Sequence, residues 1–117
     1  MPAFNFTVNI AQIEDGTKLS TIRATKRCKI GDAMFLYHNQ RCPTCRKLGE
    51  SVCVGTAHIV IGGHNMWTLD NIDGDIRPRN QPLHEQEGFS NVLTFVDFFR
   101  DKYGLPFSGW LHVWAPL

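Results

Sequence analysis

The sequence predicts a small α+β domain: a mixed β-barrel of short strands with two flanking helices. Short runs of β-favouring residues recur along the chain, from Phe4-Asn5-Phe6-Thr7-Val8 at the front to Trp110–Trp114 at the end. The two helical patterns stand apart and do not alternate regularly with strands, which argues against βαβ units. A chain of 117 residues, 43% hydrophobic and 20% charged, has the size and composition of one soluble domain with one core, so a single domain over 1–117 is expected.

Taken in order, Phe4 to Val8 alternates as a first strand. Asn9 is placed to cap a short helix carrying Ile10 and Ile13, which Gly16 ends. Thr21-Ile22-Arg23 opens the next strand, with Thr21 and Arg23 on one face and Ile22 on the other. Ile30-Gly31-Asp32 is a turn signal before Met34-Phe35-Leu36-Tyr37, a buried strand. Residues 39–50 read as a polar loop, and Val52 to Ile61 as the longest strand, closed by Gly62-Gly63. Met66 to Leu69 is a further short strand, and Asn71 to Pro82, rich in Asp, Asn, Gly and Pro, a long surface loop. The main helix follows. Phe89, Val92, Leu93, Val96 and Phe99 form one apolar stripe, widened by Phe95 and Phe98, with Ser90 as cap and Gly104-Leu105-Pro106 as stop. The last strand runs from Ser108 to Ala115, with Trp110, His112 and Trp114 alternating against Leu111 and Val113.

Several function classes are disfavoured at this level. No uncharged apolar run approaches the roughly 20 residues of a membrane span. The start Met1-Pro2-Ala3-Phe4 lacks the basic and apolar segments of a secretory signal, which points to the cytoplasm. Four cysteines, clustered, do not make a secreted disulfide scaffold. The net charge is +1, but residues 1–50 carry a balance of +4 and residues 51–117 one of −3. The basic stretch from Arg23 to Lys47 fits a small or weakly held nucleic-acid partner, or simply a solvated face; it lacks the high pI of a dedicated duplex binder.

Chemistry concentrates in two segments: Gly16-Thr17-Lys18-Leu19-Ser20-Thr21-Ile22-Arg23 and Glu85-Gln86-Glu87-Gly88-Phe89. Together they supply a hydroxyl nucleophile, an amine, a carboxylate and an arginine. Thr21 is a weak nucleophile and needs an adjacent base. Lys18 can serve if burial or a nearby cation lowers its pKa. Arg23 can lower it or hold a developing oxyanion. Glu87 can orient the lysine, relay a proton or activate water, although its charge also raises the pKa of the lysine. On the residues alone, the same groups fit a solvated loop lysine, an ordinary strand threonine and a carboxylate near a helix N-terminus.

Gly16-x-Lys18-x-x-Thr21-x-Arg23, then Lys29-x-Gly31-Asp32 and later Glu85-Gln86-Glu87 before a Phe-rich helix, resembles the ASCH domain (activating signal cointegrator homology), over about residues 10–114. The resemblance implies a PUA-like fold, a small mixed β-barrel with flanking helices. The chain departs from the family pattern in the Asn71–Pro82 loop and in the cysteine loop. Within the superfamily it is most similar to the small bacterial N4-acetylcytidine amidohydrolases. The resemblance implies Lys18, Thr21 and Glu87 as catalytic residues and Arg23 as their neighbour, with no metal and no cofactor. The expected partner is a small nucleoside, and RNA is a second possibility; a monomer and no membrane partner are expected. Other ASCH members bind RNA, and some are described as ribonucleases. This leaves two further readings, an RNA-binding module contacting phosphate through Lys18, Arg23 and Lys26–Lys29, and a ribonuclease using Lys18 and Glu87 as its acid–base pair.

For a base-binding pocket the candidate stacking residues are Tyr37, Trp67, Phe89, Trp110 and Trp114, with Phe89 and Tyr37 preferred beside Arg23; Phe95, Phe98 and Phe99 read as core. His58, His64 and His112 read as strand or turn residues. Cys42-Pro43-Thr44-Cys45, with Cys53 and with His38 or Cys28, offers an alternative zinc site, but only one of the two paired spacings of a strong zinc signal is present. Reduced thiols are the favoured reading, and no thioredoxin-like pattern surrounds the pair. The zinc deaminase signature is absent, because His84-Glu85-Gln86 follows the cysteine pair and places the acid one residue early.

Overall fold

A computed structural model describes residues 3–6, 9–38, 46–62 and 66–116, with the side chains of Ala3 and Arg46 left aside. Among the described residues six strands and three helices follow one another as β1 (Ala3–Phe6), α1 (Ile10–Asp15), β2 (Ser20–Arg23), β3 (Ala33–His38), β4 (Arg46–Ile61), β5 (Trp67–Gly74), α2 (Leu83–Gln86), α3 (Val92–Tyr103) and β6 (Phe107–Trp114). The strands form one mixed sheet in the order β1-β3-β4-β6-β2, with β5 also paired to β4. Among the described residues β1 and β3 run parallel and the other pairings are antiparallel. The radius of gyration, 13.4 Å, is that of a compact body of this length.

The long β4 organises the sheet. Its first part pairs with β3, its second with β6 and β5. The change of partner coincides with a register shift between Cys53 and Gly55, where an extra residue bends the strand. A Cβ on Gly55 would lie 2.2 Å from the Asp75 carbonyl oxygen, so only glycine fits the close approach of these backbones. Side-chain alternation then divides the core. One cluster joins Ala57, Ile59, Ile61, Leu111 and Val113 to Phe95, Val96 and Phe99 of α3. The other joins Phe4, Phe6, Ile13, Leu19, Met34, Leu36 and Trp114 on the opposite side.

The α+β class holds, but the expected barrel does not close. Its end strands β1 and β2 share no backbone ladder among the described residues. Arg23 of β2 spans the seam instead. Its Nη2 donates to the Asn5 carbonyl of β1 at 3.0 Å, and its guanidinium lies 5.4 and 5.1 Å from the ring centroids of Phe4 and Phe6. Four-residue end strands offer few ladder bonds, and the arginine occupies the place where they would pair.

Other differences are local. Three helices stand where two were expected, because the four residues of α2 are too few to show a helical period. The polar run 46–50 belongs to β4, and 71–74 belongs to β5. Asn9 stands at the start of α1 with φ 59° and makes no side-chain cap; its amide donates to the Glu87 carbonyl at 3.3 Å. Gly16 ends α1 in the left-handed region at φ 87°, as the sequence suggests. Asn91, not Ser90, caps α3 by accepting from the Thr94 N–H at 2.8 Å. Leu93 is turned out to solvent, 59% exposed, because Phe95, Val96 and Phe99 define the buried face. Among the described residues no helix is long and apolar enough to cross a membrane.

Candidate active site

The open seam holds a cavity lined by Asn5 and Phe6 of β1, Lys18, Thr21 and Arg23 around β2, and Glu87 after α2. Phe89 and the Phe98, Phe99, Lys102 and Tyr103 side of α3 form its other wall. Two segments nearly seventy residues apart therefore meet at one place. The chain arranges this through backbone bonds. Gly16 turns the chain out of α1, Lys18 N–H donates to the Gln12 carbonyl at 2.9 Å, and Leu19 N–H donates to the Gln86 carbonyl at 2.8 Å. The loop 17–19 is thus held between α1 and α2, and Lys18 is free of the strand alternation that would have turned it away from Thr21.

Lys18 is 4% exposed, Thr21 5% and Glu87 2%. The Lys18 ammonium donates to the Glu87 backbone carbonyl at 2.7 Å and lies 3.9 Å from its carboxylate Oε1. Burial pushes the Lys18 pKa below its usual value and Arg23 adds to this, while Glu87 opposes both. The buried amine is thereby made more readily available as a base than a surface lysine. Glu87 caps the C-terminal end of α2, where the helix dipole does not favour a carboxylate; Lys18 and Ser20 compensate it instead.

Ser20 is the residue that sequence reasoning missed. Its hydroxyl donates to Glu87 Oε2, and it is fully buried. It is one residue from Thr21 and points to the other face of β2, so it fixes the carboxylate without lining the cavity. Its only sequence signal is a small polar residue between Leu19 and Thr21 at the start of the strand. Ser20→Ala is expected to cost about 1.5–3 kcal/mol, the range for a hydrogen bond to a charged group, as a lower urea midpoint with an unchanged slope.

Arg23 Nε donates to Thr21 Oγ1 at 3.2 Å, leaving the Thr21 hydroxyl proton to be given elsewhere. His112 is the cross-strand partner of Thr21. Burial lowers its pKa to about 4, and Nε2 accepts from the Arg27 N–H at 3.0 Å, so it is neutral at ordinary pH.

The structure brings together Lys18, Thr21, Arg23, Glu87 and Phe89. Tyr37 does not join them; it pairs with Asn5 across the β1–β3 ladder and lies outside the cavity lining. Phe98 and Phe99, expected as core alone, also line the cavity. Of the zinc alternative, Cys42 and Cys45 lie outside the described residues. His38 Nδ1 lies 2.9 Å from the Phe6 carbonyl, and Cys53 is buried with Cys28, both as free thiols. No group of three or more His, Cys, Asp or Glu suited to a metal occurs among the described residues.

No family model matches the chain, and no curated protein and no solved structure matches it significantly.

Proposed function

We propose that this domain is an amidohydrolase that removes an acyl group from the exocyclic N4 of an acylated cytidine or a related nucleoside, working without a metal. The single observation that carries the reading is the cavity in which buried Lys18, Thr21 and Glu87 meet. The resemblance to ASCH domains of PUA-like fold supports it, as does the shape of the site. Its cavity of about 60 Å³ suits an acyl group and a few waters rather than a whole nucleoside. The base then sits at the mouth, beside Phe89 and Tyr103, whose rings offer stacking faces.

In this reading Lys18, neutral, takes the Thr21 proton as Oγ1 attacks the acyl carbon. The tetrahedral oxyanion is held by Arg23, which already touches Thr21. Protonated Lys18 then returns a proton to the departing exocyclic amine, and a heteroaromatic amine leaves more readily than a peptide amine. Glu87 orients Lys18; once the nucleoside has gone, Lys18, again neutral, takes a proton from the water that attacks the acyl-threonine and returns it to Thr21 Oγ1 as the acid leaves. The reaction is proposed for the cytoplasm.

Purified protein with chelator present is expected to hydrolyse N4-acetylcytidine, followed by absorbance. Thr21→Val should abolish turnover, and added salt should barely affect an uncharged substrate. A second reading, an RNA or modified-nucleotide binding module, is favoured by the exposed cations Lys26, Arg27 and Lys29 beside the seam, where Arg27 lies 4.9 Å from the Phe4 ring centroid. Absence of turnover together with RNA binding that weakens steeply with salt would select it.

A further inference from the structure

The alternation that sends Ala57, Ile59 and Ile61 into the core turns His58 to the other face of β4. On β5, Leu69 packs inward and Asp70 faces out; on β6, Phe107 packs inward and Ser108 faces out. The register sets Asp70 directly opposite His58, and Ser108 opposite Val60, one diagonal step from His58. Three strands thus present one row of polar side chains on the solvent-facing side of the sheet.

The contacts within the row are specific. His58 Nδ1 lies 2.8 Å from Asp70 Oδ1, and Nε2 lies 2.8 Å from Ser108 Oγ. A carboxylate only accepts, so Nδ1 carries the proton, and in the neutral imidazole Nε2 accepts from the Ser108 hydroxyl. Nucleophile, base and orienting carboxylate stand in the order that activates a serine. The Trp110 ring packs edge-on at 5.2 Å from the imidazole centroid, which holds the ring in place and shields one side of it.

We propose that Ser108, His58 and Asp70 form a second nucleophilic site, separate from the Lys18 cavity, that takes small activated carboxylic esters. An open sheet face admits only unhindered substrates and gives them little binding energy. In the reaction the Ser108 Oγ–carbon bond forms while its proton passes to His58 Nε2. The carbon–alkoxide bond then breaks, and the alkoxide leaves with that proton as an alcohol. Water repeats the sequence, releasing the acid and restoring Ser108. Asp70 keeps the Nδ1 proton in place and balances the imidazolium.

The test is treatment of the intact protein with excess phosphonofluoridate, a probe that phosphonylates an activated serine with loss of fluoride, followed by peptide mapping by mass spectrometry. An adduct on Ser108 is expected. Its rate should fall about 100-fold in His58→Ala, the loss of a general base. Ser108→Ala should lose the adduct and leave N4-acetylcytidine turnover unchanged, which separates this site from the cavity. If His58→Ala fails to fold, Asp70→Asn on the exposed strand gives the same comparison, with a rate lowered by about tenfold or more. No adduct on Ser108, or a rate that His58→Ala or Asp70→Asn leaves unchanged, overturns the proposal.

Discussion

Lys18→Met is expected to lower kcat for N4-acetylcytidine by about 10²- to 10⁴-fold, the contribution of a positioned general base, with little change in KM. Methionine keeps the length and apolar stem of the side chain, so the cavity wall survives while the amine is lost. In the wild type the rate should rise with pH as Lys18 loses its proton. That rise should come below the ordinary lysine range, because burial and Arg23 both disfavour the charged amine. The limb should vanish in Lys18→Met. Stability should carry the same signature. The Lys18 pKa is depressed in the folded state, so between that value and the usual 10.5 the unfolded chain binds more protons. Wild-type stability therefore gains from this group as pH rises through that window, and Lys18→Met should lose that gain. Urea midpoints and initial rates over one pH series measure both. A rate that stays flat across the alkaline limb in the wild type would remove Lys18 as the base.

What the sequence made legible follows from how local each signal is. Gly16 announces a left-handed turn at the end of α1, and with it a loop position for Lys18; both stand in the structure. The main helix was legible from its apolar period, but its buried face was offset, since periodicity puts Leu93 in the stripe and Phe95 at its margin, and packing against Trp67 and Phe89 chooses Phe95. Whether the sheet closes depends on pairing between β1 and β2, and no local pattern reports that an arginine takes the place of a ladder. Ser20 was invisible for a similar reason. Its meaning comes from Glu87, 67 residues away, and the carboxylate reads from the sequence as a residue before a helix, not as one buried after the short α2. The same holds for His58, Asp70 and Ser108, which register brings together and which lie 12 and 50 residues apart.

Glu87→Leu is expected to destabilise the domain by about 3–5 kcal/mol, the cost of leaving one member of a buried ion pair without its partner. The stranded group is Lys18, whose amine keeps the backbone carbonyl of residue 87 and the face of the Phe6 ring at 5.7 Å. Ser20 loses its acceptor as well. The double variant Lys18→Met with Glu87→Leu should recover most of the loss, because two buried charges replaced by apolar groups of similar volume leave the desolvation penalty behind. The carbonyl of residue 87 then still accepts from Asn9, so no buried acceptor is orphaned. Chemical denaturation of the four proteins gives the coupling directly, as the departure of the double variant from the sum of the singles. Simple additivity would mean that Lys18 and Glu87 do not act as a pair. Recovery of stability without recovery of turnover would mean that the fold does not need these charges, and that their place at the seam is explained by the chemistry they perform there.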